Sequence, residues 1–140
     1  MKVILDTNFL IYCAKERLDY VEKIENLFSN NYELVVPAQV VEELKKVSEK
    51  KKEKIPLLKR KPRYRRTTGK DKEAALLAIK LLEANKVRII EVEGETVDKG
   101  IINLANSNKK NIVCTLDKEM RDILGRVILI NQGRKLMLTR

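Results

Sequence analysis

Four acidic residues stand where a divalent metal site could use them. Asp6 closes a predicted strand, and Asp117 follows another at its carboxyl end. Glu43 lies on a predicted helix, and Asp98 opens another. Burying an unpaired carboxylate costs several kcal/mol, so such residues are poor core material. Carboxylate oxygens are, however, the ligands that Mg²⁺ and Mn²⁺ prefer, and the four residues therefore suggest a metal centre.

The remainder of the chain is strongly basic. Thirty Lys and Arg against 20 Asp and Glu give a formal net charge of +10. This balance favours polyanionic partners. An acidic metal centre in a basic protein indicates chemistry on nucleic acid.

Several function classes are excluded by what the chain lacks. It contains no histidine, which rules out a histidine general base, a Ser–His triad and a His-containing zinc site. Its two cysteines, Cys13 and Cys114, are predicted to be buried thiols. No apolar run reaches the length of a transmembrane helix, and no signal-peptide pattern opens the chain. We expect a cytoplasmic protein with no membrane partner.

The order of apolar runs predicts one α/β domain over residues 1–140. Short apolar runs typical of strands alternate with segments of helical periodicity, which favours a parallel sheet. We predict a three-layer α/β/α sandwich around a mainly parallel five-stranded sheet. The predicted strands are residues 2–6, 34–37, 87–90, 112–115 and 127–130.

Helical periodicity also identifies a segment that does not fit the pattern. The helix predicted from Asp71 carries Ala75, Leu76, Ile79 and Leu82 on one apolar face. Helices are expected from Asp6, from Asp19, after Pro37, from Asp71, from Thr96 and from Lys118. Between the third and fourth of these, residues 45–70 contain 13 basic residues and two prolines. We interpret this stretch as a basic insertion that is not one regular helix.

The strand ends explain why the acids should meet. In open parallel sheets, sites form beyond the carboxyl ends of the strands, where the strand order reverses. If the first and fourth strands are neighbours, Asp6 and Asp117 face one cleft, which Glu43 and Asp98 can reach from helices. Acids gathered in this way repel one another unless a cation is present. Each acid alone has an ordinary explanation as a cap, a turn former or a solvated side chain; the set favours the functional one.

At this point the chain resembles the PIN-domain ribonucleases. The matching pieces are Val3-Ile-Leu-Asp-Thr-Asn8, Val36-Pro-Ala-Gln-Val-Val-Glu-Glu-Leu44, Val97-Asp98 and Val113-Cys-Thr-Leu-Asp-Lys-Glu119. The resemblance implies a metal-dependent endoribonuclease that uses one or two Mg²⁺ or Mn²⁺ ions. Its catalytic and metal-binding acids would be Asp6, Glu43, Asp98 and Asp117, with supporting groups at Asn8, Thr115 and Glu119. Glu42 is the alternative to Glu43, although Leu44 fits the acid-Leu pattern of the family better.

The basic insertion bears on the subgroup. With this insertion, the chain resembles the rRNA-processing PIN nucleases of small-subunit maturation. The resemblance implies that the partner is an rRNA precursor. Lys99 follows Asp98 where a second acid would make a fifth metal-side group. The alternatives are a toxin-type PIN ribonuclease with an antitoxin partner and a catalytically idle RNA-binding scaffold. A homodimer is also expected, without an assigned interface.

Six cations within eight residues form the predicted RNA-binding segment. Such density is unusual for a merely solvated surface, and Lys and Arg hold phosphates without reading sequence. The aromatic ring of Tyr64 could stack on an unpaired base or simply lie among charges at the surface. The predicted RNA-binding residues are Lys59, Arg60, Lys61, Arg63, Tyr64, Arg65 and Arg66.

Overall fold

The structure is a computed structural model that describes residues 1–28, 31–49, 69–131 and 134–139. Its strands within these ranges are β1 Lys2–Leu5, β2 Glu33–Pro37, β3 Arg88–Ile90, β4 Ile112–Cys114, β5 Val127–Ile130 and β6 Leu136–Leu138. Its helices are α1 Thr7–Lys15, α2 Tyr20–Leu27, α3 Ala38–Glu49, α4 Gly69–Ala84, α5 Val97–Asn106 and α6 Lys118–Leu124.

The strands form one sheet in the order β3-β2-β1-β4-β5-β6. β1 lies between β2 and β4 and pairs in parallel with both, with Leu5 opposite Cys114. The chain moves outward in one direction from β1 to β3 and in the other from β4 to β6. The strand order therefore reverses between β1 and β4, as predicted, and this is where parallel sheets form their sites.

The sixth strand was not predicted. β6 pairs antiparallel with β5, with Leu129 opposite Met137. The backbone N–H of Thr139 donates to the carbonyl of Val127 and continues the ladder at 2.8 Å. A run of only three apolar residues between charged and polar neighbours carries little strand signal, but the exposed edge of β5 provides the missing hydrogen bonds.

The helices cover both faces of the sheet and confirm the α/β fold. α4 packs against α3 and α1, while α5 packs against α6. Right-handed crossovers place α1 to α4 on one face and α5 and α6 on the other. The central strand is enclosed on both sides, and Val3, Ile4 and Leu5 are fully buried. The core is largely aliphatic, with Phe9 and Tyr20 in edge-to-face contact between α1 and α2.

Two predictions about α3 and α4 need correction. Leu76 was expected on the buried face of α4 with Ala75, Ile79 and Leu82 but is 48% exposed, whereas Ala75 and Leu82 are buried together with Ala74 and Ala78. The ends of the predicted insertion are helical, because α3 continues to Glu49 and α4 begins at Gly69. No helix in the described part of the chain is long and apolar enough to cross a membrane.

Candidate metal centre

Asp6 is the buried centre of the site. It leaves β1 with its backbone N–H still donating to the carbonyl of Cys114 at 3.1 Å, and it caps α1. One carboxylate oxygen accepts from the backbone N–H of Thr7 at 2.7 Å, and the other accepts from Oγ1 of Thr115 at 2.7 Å. The residue is only 5% exposed. A charged group in this position needs strong compensation, because desolvation disfavours its ionised form.

The electrostatics of Asp6 reflect its position. Burial raises the pKa of its carboxyl from 3.8 to about 6, against the opposing effect of the hydrogen bonds from Thr115 and Thr7. The negative charges of Asp98 and Glu43 raise the same pKa further. Acids on two different helices, α3 and α5, therefore act on one carboxylate. A cation among them would relieve both the desolvation and the repulsion.

The loop after β4 is tied to the first turn of α1. Thr115 is almost fully buried and accepts the backbone N–H of Asp117 at 3.1 Å while it donates to Asp6. Asn8 accepts the backbone N–H of Leu116 at 3.2 Å through Oδ1. Asp117 in turn caps α6 by accepting the backbone N–H of Glu119 at 3.0 Å. These bonds fix the carboxyl ends of β1 and β4 relative to each other.

Glu43 reaches the same edge through a contact that sequence reasoning missed. Oγ1 of Thr7 donates to Oε1 of Glu43 at 2.6 Å, although 36 residues separate them. A hydrogen bond to an ionised acceptor is short and about twice as strong as a neutral one. Glu42 is exposed and makes no such contact among the described residues, which favours Glu43 over its neighbour. The one feature of the sequence that could have indicated this contact is the threonine that directly follows Asp6.

Asp98 approaches from the first turn of α5, where Thr96 caps the helix. The preceding loop lies close to this turn because both contain glycine. A Cβ at Gly94 would lie 2.5 Å from the backbone nitrogen of Gly100, and a Cβ at Gly100 would lie 2.8 Å from the side chain of Val92. The loop is also held by Asn103, whose side-chain N–H donates to the carbonyl of Glu93 at 2.8 Å.

Asp98 connects the two halves of the acidic edge. Its side chain is exposed, yet partial burial raises the pKa of its carboxyl, and the charges of Asp117 and Glu119 raise it further. The negative charge of Asp98 also raises the pKa of Asp6. The four predicted acids and Glu119 therefore form one electrostatically coupled group, which we call the acidic edge.

The carboxylate oxygens of the acidic edge are suitable ligands for a hard divalent cation, although they do not already surround one position. Among the residues that the structure describes, no three acidic or cysteine side chains are placed to hold one ion together. Mg²⁺ does not require such a cage, since it retains several waters and is commonly bound through one or two carboxylates. The electrostatic coupling of a buried oxygen ligand to its acidic neighbours is the observation that supports the fit.

The predicted RNA-binding residues, Lys59 to Arg66, lie outside the described residues.

Fold and site together describe an α/β protein whose acidic residues gather at the switch point of a mostly parallel sheet. The model of the PIN domain family matches residues 3–130. The chain therefore belongs to the PIN domain family, which confirms the resemblance drawn from its motifs.

Two known proteins illustrate the relationship. The chain is 32% identical over 123 residues to Ribonuclease VapC4 of Methanocaldococcus jannaschii, covering 88% of this chain and 82% of the relative. It is also similar to the solved structure of the PIN domain endonuclease Utp24, with a TM-score of 0.69 and 17% identity. That similarity covers 98% of this chain and 90% of the other and concerns the fold.

Proposed function

We propose that this protein is an endoribonuclease that hydrolyses RNA phosphodiester bonds with Mg²⁺ or Mn²⁺. The observation that carries the proposal is the buried carboxylate of Asp6, coupled to Asp98 and Glu43 and fixed by Thr115 at the carboxyl ends of β1 and β4. Membership of the PIN domain family and the similarity to Ribonuclease VapC4 support it.

Each side chain of the acidic edge has a proposed role. Asp6, Glu43, Asp98 and Asp117 would hold the cation, directly or through the waters that it retains, and the bound cation would supply Lewis-acid chemistry at the phosphodiester. Thr115 keeps one oxygen of Asp6 in a fixed direction, and Thr7 does the same for Glu43. Asn8 joins the two loops that carry these residues. With positions set in advance, less reorganisation is needed when substrate arrives.

The test is cleavage of single-stranded and structured RNA by purified protein with Mn²⁺, with Mg²⁺ and with EDTA. We expect cleavage with either metal, none with EDTA, and none from Asp6→Asn protein purified in parallel. The parallel variant controls for contaminating ribonucleases, which would survive the substitution. Equal cleavage by wild type and variant would overturn the proposal. Binding of RNA without cleavage under all conditions would favour the idle scaffold.

The finer assignment is processing of an rRNA precursor, supported by the basic segment between α3 and α4. The second candidate, a toxin-type ribonuclease with an antitoxin, is favoured by the similarity to Ribonuclease VapC4. Expression of the wild type and of Asp6→Asn in cells separates the two. A toxin should arrest growth only when active, and co-expression of a short adjacent gene should relieve the arrest. A processing enzyme should instead produce one defined cut in precursor rRNA.

A further inference from the structure

A small polar cleft lies at the opposite end of the sheet from Asp6. It has a volume of about 130 Å³, between the carboxyl ends of α5 and α6 and the starts of β4 and β5. Its lining combines two cations and two carboxamides with two apolar residues and contains no acid. The lining residues are Ala105, Asn106, Lys109, Asn111, Leu124 and Arg126.

The floor of this cleft is held by hydrogen bonds within the protein. Asn111 is 9% exposed, and its Oδ1 accepts the backbone N–H of Lys2 at 2.9 Å while its Nδ2 donates to the carbonyl of Leu104 at 3.1 Å. The turn that carries Lys109 is closed by Asn108, which accepts the backbone N–H of Lys110 through Oδ1 at 2.9 Å. The backbone from which the lysine extends is therefore set before any ligand binds.

The two cations lie just before the starts of two neighbouring parallel strands, β4 and β5. Val113 pairs with Val127, so Arg126 enters β5 beside the start of β4, and Lys109 precedes β4 in the adjoining turn. The ion pairs found within the described ranges involve neither of them. The carbonyl ends of α5 and α6 attract cations, but each helix end carries only about half an elementary charge. Positive charge therefore remains for an anion.

The chemistry of the lining selects a phosphate. The guanidinium of Arg126 can form paired hydrogen bonds to phosphate oxygens, Lys109 adds a mobile point charge, and the side-chain amide of Asn106 adds a further donor. We propose that the Lys109–Arg126 cleft binds a phosphate of the RNA strand, away from the bond that is cut. The inference rests on the proposed function, because it takes RNA as the source of the phosphate.

The separation of the two sites gives the proposal a measurable consequence. The three residues of β4 alone span about 10 Å, at about 3.3 Å per residue. A dinucleotide cut at the acidic edge is too short to reach the cleft as well, whereas a long single strand can contact both. Loss of the cleft should therefore weaken the binding of long RNA and leave cleavage of the dinucleotide unaffected.

The experiment compares Lys109→Gln/Arg126→Gln with the matched control Arg17→Gln/Lys80→Gln. Both pairs are exposed and both variants lose two charges, but the control residues do not line the cleft. Affinity for a long single-stranded RNA is measured in EDTA at several salt concentrations. Because the cleft binds one phosphate, its variant should flatten the slope of log affinity against log salt by about 0.7, the value for one phosphate contact on a single strand. The control should keep the wild-type slope.

Two further measurements keep this test separate from that of the proposed function. Cleavage of a dinucleotide with Mn²⁺ reports on the acidic edge alone and should be equal in wild type and both variants. In wild type, RNA added in EDTA should shift the backbone amide NMR signals of Asn106, Lys109 and Arg126. Equal slopes in the two variants would overturn the cleft even if cleavage is normal. Signals that move with inorganic phosphate but not with RNA would overturn its assignment to RNA.

Discussion

The two edges of the sheet carry opposite charge. Beyond the carboxyl ends of the strands lie the acidic edge and three further acids of the loop after β3, Glu91, Glu93 and Glu95. At the amino ends, a basic residue begins or precedes each of β1, β3, β4 and β5: Lys2, Lys86, Lys109, Lys110 and Arg126. Glu33 at β2 is an exception, and its carboxylate is paired with Arg88 at 3.1 Å. Lys99 and Lys118 are exceptions at the acidic edge, and Lys99 is paired with Glu95.

The difference separates two tasks that one polyanionic substrate demands. Phosphates are attracted to the amino ends of the strands but repelled by acids at the carboxyl ends, unless a cation neutralises those acids. Binding of RNA can therefore depend on basic residues, while its hydrolysis depends on the acidic edge together with metal. Substitutions at one edge should therefore change hydrolysis or RNA binding without changing the other.

The largest effect is expected at the strand ends of the acidic edge. Asp6→Asn and Asp117→Asn should each lower the rate of RNA cleavage by more than about a thousandfold, which corresponds to about 4 kcal/mol of barrier. RNA affinity in EDTA should not fall, because both substitutions remove a negative charge. Cleavage rates and EDTA binding curves of the two variants provide the measurement. Unchanged cleavage in both would remove the proposed site.

The sequence predicted these two residues because their positions are local. An acid directly after an apolar strand is visible without any knowledge of distant contacts, and so is a parallel sheet built from alternating strands and helices. Thr7 was missed because its hydrogen bond to Glu43 crosses from α1 to α3. Leu76 was misplaced because α4 has apolar side chains all round, and close packing against α3 and α1 selects its small alanines. Such choices are made by tertiary contacts.

The second prediction concerns the stability of the metal-free protein. The folded-state pKa of Asp6 is raised from 3.8 to about 6, so the folded state binds a proton between these values that the unfolded state has lost. The contribution of Asp6 to the free energy of unfolding is fully present below about pH 4, and it is lost as the pH rises through about 6. The loss is about 3 kcal/mol, at about 1.4 kcal/mol per pKa unit.

Asp6→Asn isolates this contribution. In EDTA, the variant should gain stability relative to wild type as the pH rises from 4 to 7.5. Denaturant unfolding at each pH measures this difference. Mn²⁺ should then stabilise the wild type by about 2.7 kcal/mol at a hundred times its dissociation constant, and the variant by less. A difference between the two proteins that does not change with pH would contradict the proposed burial of a charge at this edge.

The third prediction asks whether the basic segment between α3 and α4 adds to RNA binding. Replacing Arg63, Arg65 and Arg66 by Ala should flatten the salt dependence of RNA affinity by about two, from about 0.7 per contact. The loss should be similar for RNAs of different sequence, since phosphates carry no sequence information. Mn²⁺ stabilisation should be retained because no acid is touched. An unchanged slope would mean that basic residues outside this segment bind the RNA.

The smallest effect is expected from Thr7, within the acidic edge itself. Thr7→Val preserves shape but removes the hydroxyl that donates to Oε1 of Glu43. A hydrogen bond to a charged group contributes about 1.5–3 kcal/mol, of which a mobile carboxylate recovers part from water. We therefore expect cleavage with saturating RNA to fall by about tenfold, and the Mn²⁺ concentration for half-maximal rate to rise.

Thr7→Ser is the matched control, because it keeps the hydroxyl and loses only a methyl group. It should restore most of the rate and the Mn²⁺ dependence, whereas RNA affinity in EDTA should be equal in all three proteins. A merely structural role for Thr7 would instead appear as a lower melting temperature with unchanged Mn²⁺ dependence. Wild-type Mn²⁺ dependence in Thr7→Val would show that Glu43 needs no orientation from α1, which leaves Thr115 and Asp6 as the preorganised part of the acidic edge.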